Sequence, residues 1–95
     1  MADDTKIAAV REYIKNEFPD STMEDSPSAE FQGQYFKISS RGRSYNTIVS
    51  FDFLNDHEAS QIPEILKKYI LAEHLRDLGA TPVIVAKTGL KLEYD

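Results

Sequence analysis

The sequence has no cysteine and no tryptophan, and only four glycines and four prolines among 95 residues. Without cysteine there is no disulfide framework, no thiol nucleophile and none of the common structural zinc sites. The glycines at 33, 42, 79 and 89 are isolated, so no glycine-rich phosphate loop can form. No serine sits in a Gly-x-Ser-x-Gly elbow, and the two histidines, His57 and His74, do not form a His-Glu-x-x-His pair. No apolar run approaches the roughly 18 residues that a spanning helix needs. The acidic opening MADDTK lacks the basic-then-apolar layout of a secretory leader. These absences lead to the expectation of a cytoplasmic, non-enzymatic protein with no cofactor, no bound metal and no membrane contact.

What is present is the composition of an ordinary folded domain, 41% hydrophobic and 28% charged, at a length that suits a single domain over 1–95. Charge is unevenly spread. Residues 1–30 carry eight acids against three bases, a surplus of five that equals the whole net charge of −5. Phe31 to Phe51 holds Lys37, Arg41 and Arg43 and no acid. A pI near 4.9 argues against a surface built to neutralise many phosphates, although it leaves room for a small local basic site.

The periodicities predict five or six elements. Ile7, Val10, Ile14 and Phe18 recur at helical spacing, which predicts a helix from about Asp4 to Phe18 that Pro19 terminates. The following PDSTMEDSPS, rich in proline, serine and acid, reads as a solvated loop in which Met23 alone could pack inward. Alternating residues then predict two strands, over 31–38 and 45–53, joined by a hairpin at Ser40-Arg41-Gly42-Arg43. That register puts Phe36, Ile38, Tyr45, Val49, Phe51 and Phe53 on one face, and Phe31, Tyr35, Lys37, Asn46, Ile48 and Asp52 on the other.

A second helix is expected from Ser60 to Leu78, with Asn55, Asp56 and Ser60 as capping groups, Pro63 in its first turn and Gly79 as its stop. Its apolar residues make two stripes, since Ile62, Ile65, Leu66 and Tyr69 lie nearly opposite Leu71, Leu75 and Leu78. Such a helix either breaks near 70–72 or buries its two ends against different things. The continuous run Pro82–Ala86 suggests a strand covered on both faces, parallel to the strand before the helix, and Leu90 to Tyr94 suggests a short last strand. The fold class is therefore α+β, a two-layer sandwich in the order α-β-β-α-β(-β), with both helices on one face of a small mixed sheet. Its expected core holds Ile14, Phe18, Phe36, Val49, Phe51, Leu66, Tyr69, Ile84 and Val85.

The candidate chemistry is a choice among surfaces. Asp52, Asn55, Asp56, His57 and Glu58 include metal-ligating types, but neighbouring residues cannot all face one ion, and helix capping is the simpler reading. The hairpin joins Lys37, Arg41 and Arg43 to Phe31, Tyr35 and Tyr45, a mixture of cations and aromatic rings that can grip an anion or stack on bases. An open sheet face with Phe31, Tyr35, Lys37 and Ile48, together with the off-stripe Leu71 and Leu75, forms a candidate interface with a protein partner or a second copy. The expected function is a protein-interaction module. The alternative is a weak binder of single-stranded nucleic acid through the 31–51 hairpin.

Overall fold

In the computed structural model, which describes residues 4–69, 71–78, 82–86 and 89–92, the first helix, α1 (Asp4–Glu17), buries Ile7, Ala9, Val10, Tyr13 and Ile14. Its last turn closes as Phe18 N–H donates to the Ile14 carbonyl at 2.8 Å. The Ser21 amide and hydroxyl then both donate to the Phe18 carbonyl, at 3.1 and 2.5 Å. Carbonyls at a helix end have no partner within the helix, and Ser21 supplies one where Pro19 stops the turn.

The next segment is a strand, which overturns the loop expected there. β1 (Thr22–Ser28) pairs antiparallel with β2 (Gly33–Ser40) along its whole length. An edge strand is held by main-chain bonds to one neighbour, so it needs few apolar side chains. Met23 packs against the core, and Pro27 is tolerated because an edge strand has one unpaired side. Asp25 is held by Arg11 Nε and Nη2, both at 2.8 Å, and by Gln34 Nε2 at 2.6 Å. This clamp fastens the polar strand to α1.

β2 and β3 (Arg43–Ser50) form the expected hairpin, but Ser40 and Arg43 pair, so the expected four-residue loop shortens to a two-residue turn. Arg41 and Gly42 have φ of 51° and 79°, the positive pair of a type I′ turn, whose twist matches that of the strands. Phe36, Ile38, Tyr45 and Val49 share the inner face as expected, joined by Gln34 and Thr47. The buried Thr47 hydroxyl donates to the Val83 carbonyl at 2.8 Å and is thereby satisfied.

β3 ends three residues sooner than its alternation implied. Ser50 caps α2 (Phe51–Asp56), accepting from Phe53 N–H at 3.1 Å, and Asp52 sits in the first turn, where the helix dipole favours an acid. Phe53 and Leu54 are fully buried, whereas Phe51 is only partly so. The expected long helix is two helices, α3 (Ile62–Lys68) and α4 (Leu71–Leu78), and the break falls between the two stripes. Pro63 occupies the first turn of α3, but the expected side-chain caps do not form at its start. The Tyr13 hydroxyl accepts from Ala72 N–H at 3.1 Å, so a residue of α1 caps the first turn of α4.

β4 (Val83–Ala86) runs parallel to β3, and β5 (Gly89–Leu92) pairs antiparallel with β4 at the far edge. The strands stand in chain order, β1-β2-β3-β4-β5, in a five-stranded mixed sheet. The buried residues of the helices and of the inner sheet face form one apolar cluster, confirming an α+β fold. Of the expected core, Ile14, Phe18, Phe36, Val49, Leu66 and Val85 lie in it, while Phe51 and Tyr69 pack at its margin. Ile84 does not belong to it. β4 alternates between buried and half-buried, so Val83 and Val85 face inward and Ile84 outward, and the strand is not enclosed on both faces. The expected stop at Gly79, the side chain of Leu78 and the final Tyr94 lie outside the described residues.

Candidate functional site: an arginine-lined cleft at the hairpin tip

The inner and outer faces of the β2–β3 hairpin lead to different surroundings. Arg43 has the parity of Tyr45, so it projects on the helix side at the end of the sheet. There α1 terminates, and α4 presents Arg76. The Phe18 and Tyr45 rings meet with centroids 5.1 Å apart, and the Arg76 guanidinium lies 4.8 Å above the Phe18 ring. Cations are attracted to the negative face of an aromatic ring, so this stack fixes Arg76 over the floor. Pro19, Ser40 and Arg41 complete the rim of a cleft of about 340 Å³.

Three arginines and two carboxylates meet here, and the arginines are unequally engaged. Arg76 Nη2 donates to the Glu17 main-chain carbonyl at 2.8 Å and lies 3.8 Å from the Glu17 carboxylate. Arg41 Nη2 donates to Asp20 at 3.2 Å, with both side chains mostly exposed, at 82% and 68%. Exposed pairs of this kind contribute about 0–1 kcal/mol, because water and salt compete for both ions. Arg43 is exposed, and its side chain makes no hydrogen bond or ion pair among the described residues.

The expected site residues do not form one surface. Arg41 and Arg43 line the tip cleft, together with Tyr45. Tyr35 and Lys37 lie on the outer face, where the Tyr35 hydroxyl donates to Asn46 Oδ1 at 2.6 Å and Lys37 stands opposite Glu24 across the β1–β2 ladder. Phe31 is half-buried in the connection before β2, its amide donating to Ser28 Oγ at 3.4 Å. Ile48 is on the outer face as expected but only 4% exposed, lying between Tyr35 and Ile84 in the register. Leu71 and Leu75 overturn the expectation of an exposed helical patch, because both are fully buried in the core. Once the helix breaks, α4 turns its own apolar stripe inward. The candidate interface with a partner or a second copy therefore loses its helical part and keeps only the outer sheet face.

The Asp52–Glu58 segment resolves into local hydrogen bonding. His57 Nδ1 lies 2.8 Å from the Phe53 carbonyl, an acceptor, so Nδ1 carries the proton and the ring closes the end of α2. The same ring packs on Phe53 at 4.6 Å. Among the described residues no three metal-ligating side chains converge.

Sequence reasoning missed Arg76, Glu17 and Asp20 as members of the cleft. No spacing links them, since 55 residues separate Asp20 from the middle of α4 and the contact exists only once α4 packs beside the end of α1. Compared with known proteins, the chain matches no family model, no curated protein and no solved structure.

Proposed function

We propose that the chain is a non-enzymatic protein-interaction module that holds an acidic partner segment at the hairpin end of its sheet. One observation supports this reading above the others. Arg41 lies in a two-residue turn and Arg43 follows it, beside an aromatic-floored cleft, with most of their side-chain donors unspent. A guanidinium has five N–H donors in a planar fork that matches a carboxylate, so arginines in this state are suited to a ligand. Phe31, Tyr35 and Lys37 lie away from this cleft and take no part in the proposed contact, and the proposed setting is cytoplasmic.

Single-stranded nucleic acid is the competing ligand class, because arginine and aromatic rings serve it as well. Charge speaks against it. A polyanion senses the summed field, and here three arginines stand beside two acids on a chain of net charge −5. A short acidic segment meets only the local cations.

The test is an amide-shift titration at low salt with a blocked hexapeptide carrying two central glutamates, and with several mixed single-stranded oligonucleotides. Shifts at Arg41–Tyr45 with the peptide, exceeding those with any oligonucleotide, are expected. Tighter, steeply salt-dependent oligonucleotide binding would replace the reading with the nucleic-acid one, and no response to any ligand would refute both.

A further inference from the structure

We propose that the tip cleft is a carboxylate-binding site already occupied from within, with Asp20 holding the place that the acidic residue of a partner takes. This deepens the protein-binding reading and rests on it. Among the described residues, two of the arginine–carboxylate pairs contrast in construction. Arg11 meets Asp25 through two bonds of 2.8 Å, the carboxylate side chain is only 13% exposed, and Gln34 binds it as well. That pair is finished, since nothing outside the chain could improve it.

Arg41 and Asp20 meet through one bond of 3.2 Å between two side chains open to solvent. Arg41 keeps four side-chain donors uncommitted, and the Arg43 side chain, which lines the same cleft, has no bond among the described residues. A fork-to-fork carboxylate contact is shorter and roughly twice as strong as a neutral hydrogen bond. An incoming carboxylate that reached Arg41 and Arg43 together would exchange one weak pair for a stronger, two-armed one. Arg76 is held independently of Arg41, by the Glu17 carbonyl and the Phe18 ring, so an exchange of partner at Arg41 leaves those contacts in place.

A carboxylate is the occupant assigned, because the cleft already accepts one and because its own two acids oppose a more highly charged phosphoryl group. The competition has a distinctive consequence. Removing Asp20 should strengthen binding, whereas removal of an ordinary surface acid leaves it unchanged.

The experiment measures dissociation constants of the two-glutamate hexapeptide, its two-glutamine counterpart and a single-phosphoserine counterpart. The proteins are wild type, Asp20→Asn, Arg43→Lys and Arg41→Ala/Arg43→Ala, with Glu30→Gln as the surface control. All the altered side chains except Asp20 and Arg41 lack a partner among the described residues, and the Asp20–Arg41 pair is solvent-exposed, so the variants should keep the fold. Asp20→Asn should tighten the glutamate peptide about two- to fivefold, the range an exposed ion pair can contribute. The double alanine variant should weaken it by about tenfold or more, and Arg43→Lys should do so by less.

Peptide binding that weakens in the double alanine variant but is indifferent to Asp20 would overturn the internal occupant while leaving the protein-binding reading intact, and binding indifferent to both arginines would overturn both. Absence of binding by any peptide would overturn both. A phosphoserine peptide bound more than about tenfold tighter than the glutamate peptide would overturn the choice of carboxylate.

Discussion

Replacing Asp25 with alanine tests whether a polar clamp, rather than apolar burial, holds the edge strand. The substitution removes the acceptor of two Arg11 bonds and one Gln34 bond at once. Arg11 is 46% exposed and can return to water, so its share is that of a good surface pair, about 1 kcal/mol. Gln34 is only 6% exposed, and its stranded amide group costs about 1–3 kcal/mol. The expected loss is therefore about 2–4 kcal/mol, read from urea unfolding, with the β1 amides losing hydrogen-exchange protection before those of β2 and β3.

Acid should reproduce part of this effect. The Arg11 guanidinium, with help from Gln34, holds the Asp25 carboxyl below the ordinary aspartate value of 3.8 despite partial burial. A carboxyl whose folded pKa is depressed stabilises the fold fully above its unfolded value, and that contribution is lost as pH falls through the folded value. Wild type should thus lose the increment below about pH 4, while Asp25→Asn lacks it at every pH. An Asp25→Ala protein within about 0.5 kcal/mol of wild type, with unchanged β1 protection, would refute the clamp.

Three further outcomes follow from the packing. Tyr13→Phe strands the Ala72 amide and should cost about 1–2 kcal/mol by thermal unfolding, with the loss of exchange protection concentrated at the start of α4. Gly33→Ala places a Cβ 2.6 Å from the Val49 carbonyl oxygen, so a backbone shift costing about 1–3 kcal/mol is expected, visible as a lower melting temperature and moved amide signals at Ser50. Leu75→Ala should destabilise by about 2–5 kcal/mol without changing the sedimentation coefficient of the folded protein, since Leu75 is core and not an interface.

Much of the fold was legible because burial leaves a period in the sequence. The stripe Ile7, Val10, Ile14 and Phe18 became α1 and its terminus, and the alternation through Phe36, Ile38, Tyr45 and Val49 became the inner sheet face. The opposed stripes of Ile62–Tyr69 and Leu71–Leu75 marked the helix break. What stayed hidden lacked such a period. β1 has one inward apolar residue, and its partners Arg11 and Gln34 lie 14 and 9 residues from Asp25 along the chain, so nothing local distinguishes it from a loop. At Ser50 two local signals conflicted. Phe51 and Phe53 continued the strand alternation, but the serine oxygen and the acid after it favoured a helix start, and the cap prevailed.

The same division explains the cleft. Arg41 and Arg43 stood out because a turn must expose its residues, whatever the rest of the chain does. Arg76 did not, because its position depends on which side of α4 faces inward, and that is fixed only once the break between α3 and α4 is chosen over a continuous helix. On a single helix Leu71 and Leu75 point away from Leu66, as if to solvent. With the break, both turn into the core, and Arg76, one residue beyond Leu75, comes to the rim above Phe18. One backbone break therefore removed an apolar interface and supplied the third arginine of a polar one. Functional surfaces of this kind are set by the junctions between elements, where the sequence carries no repeating signal, and they become readable only after each helix has been given its own axis.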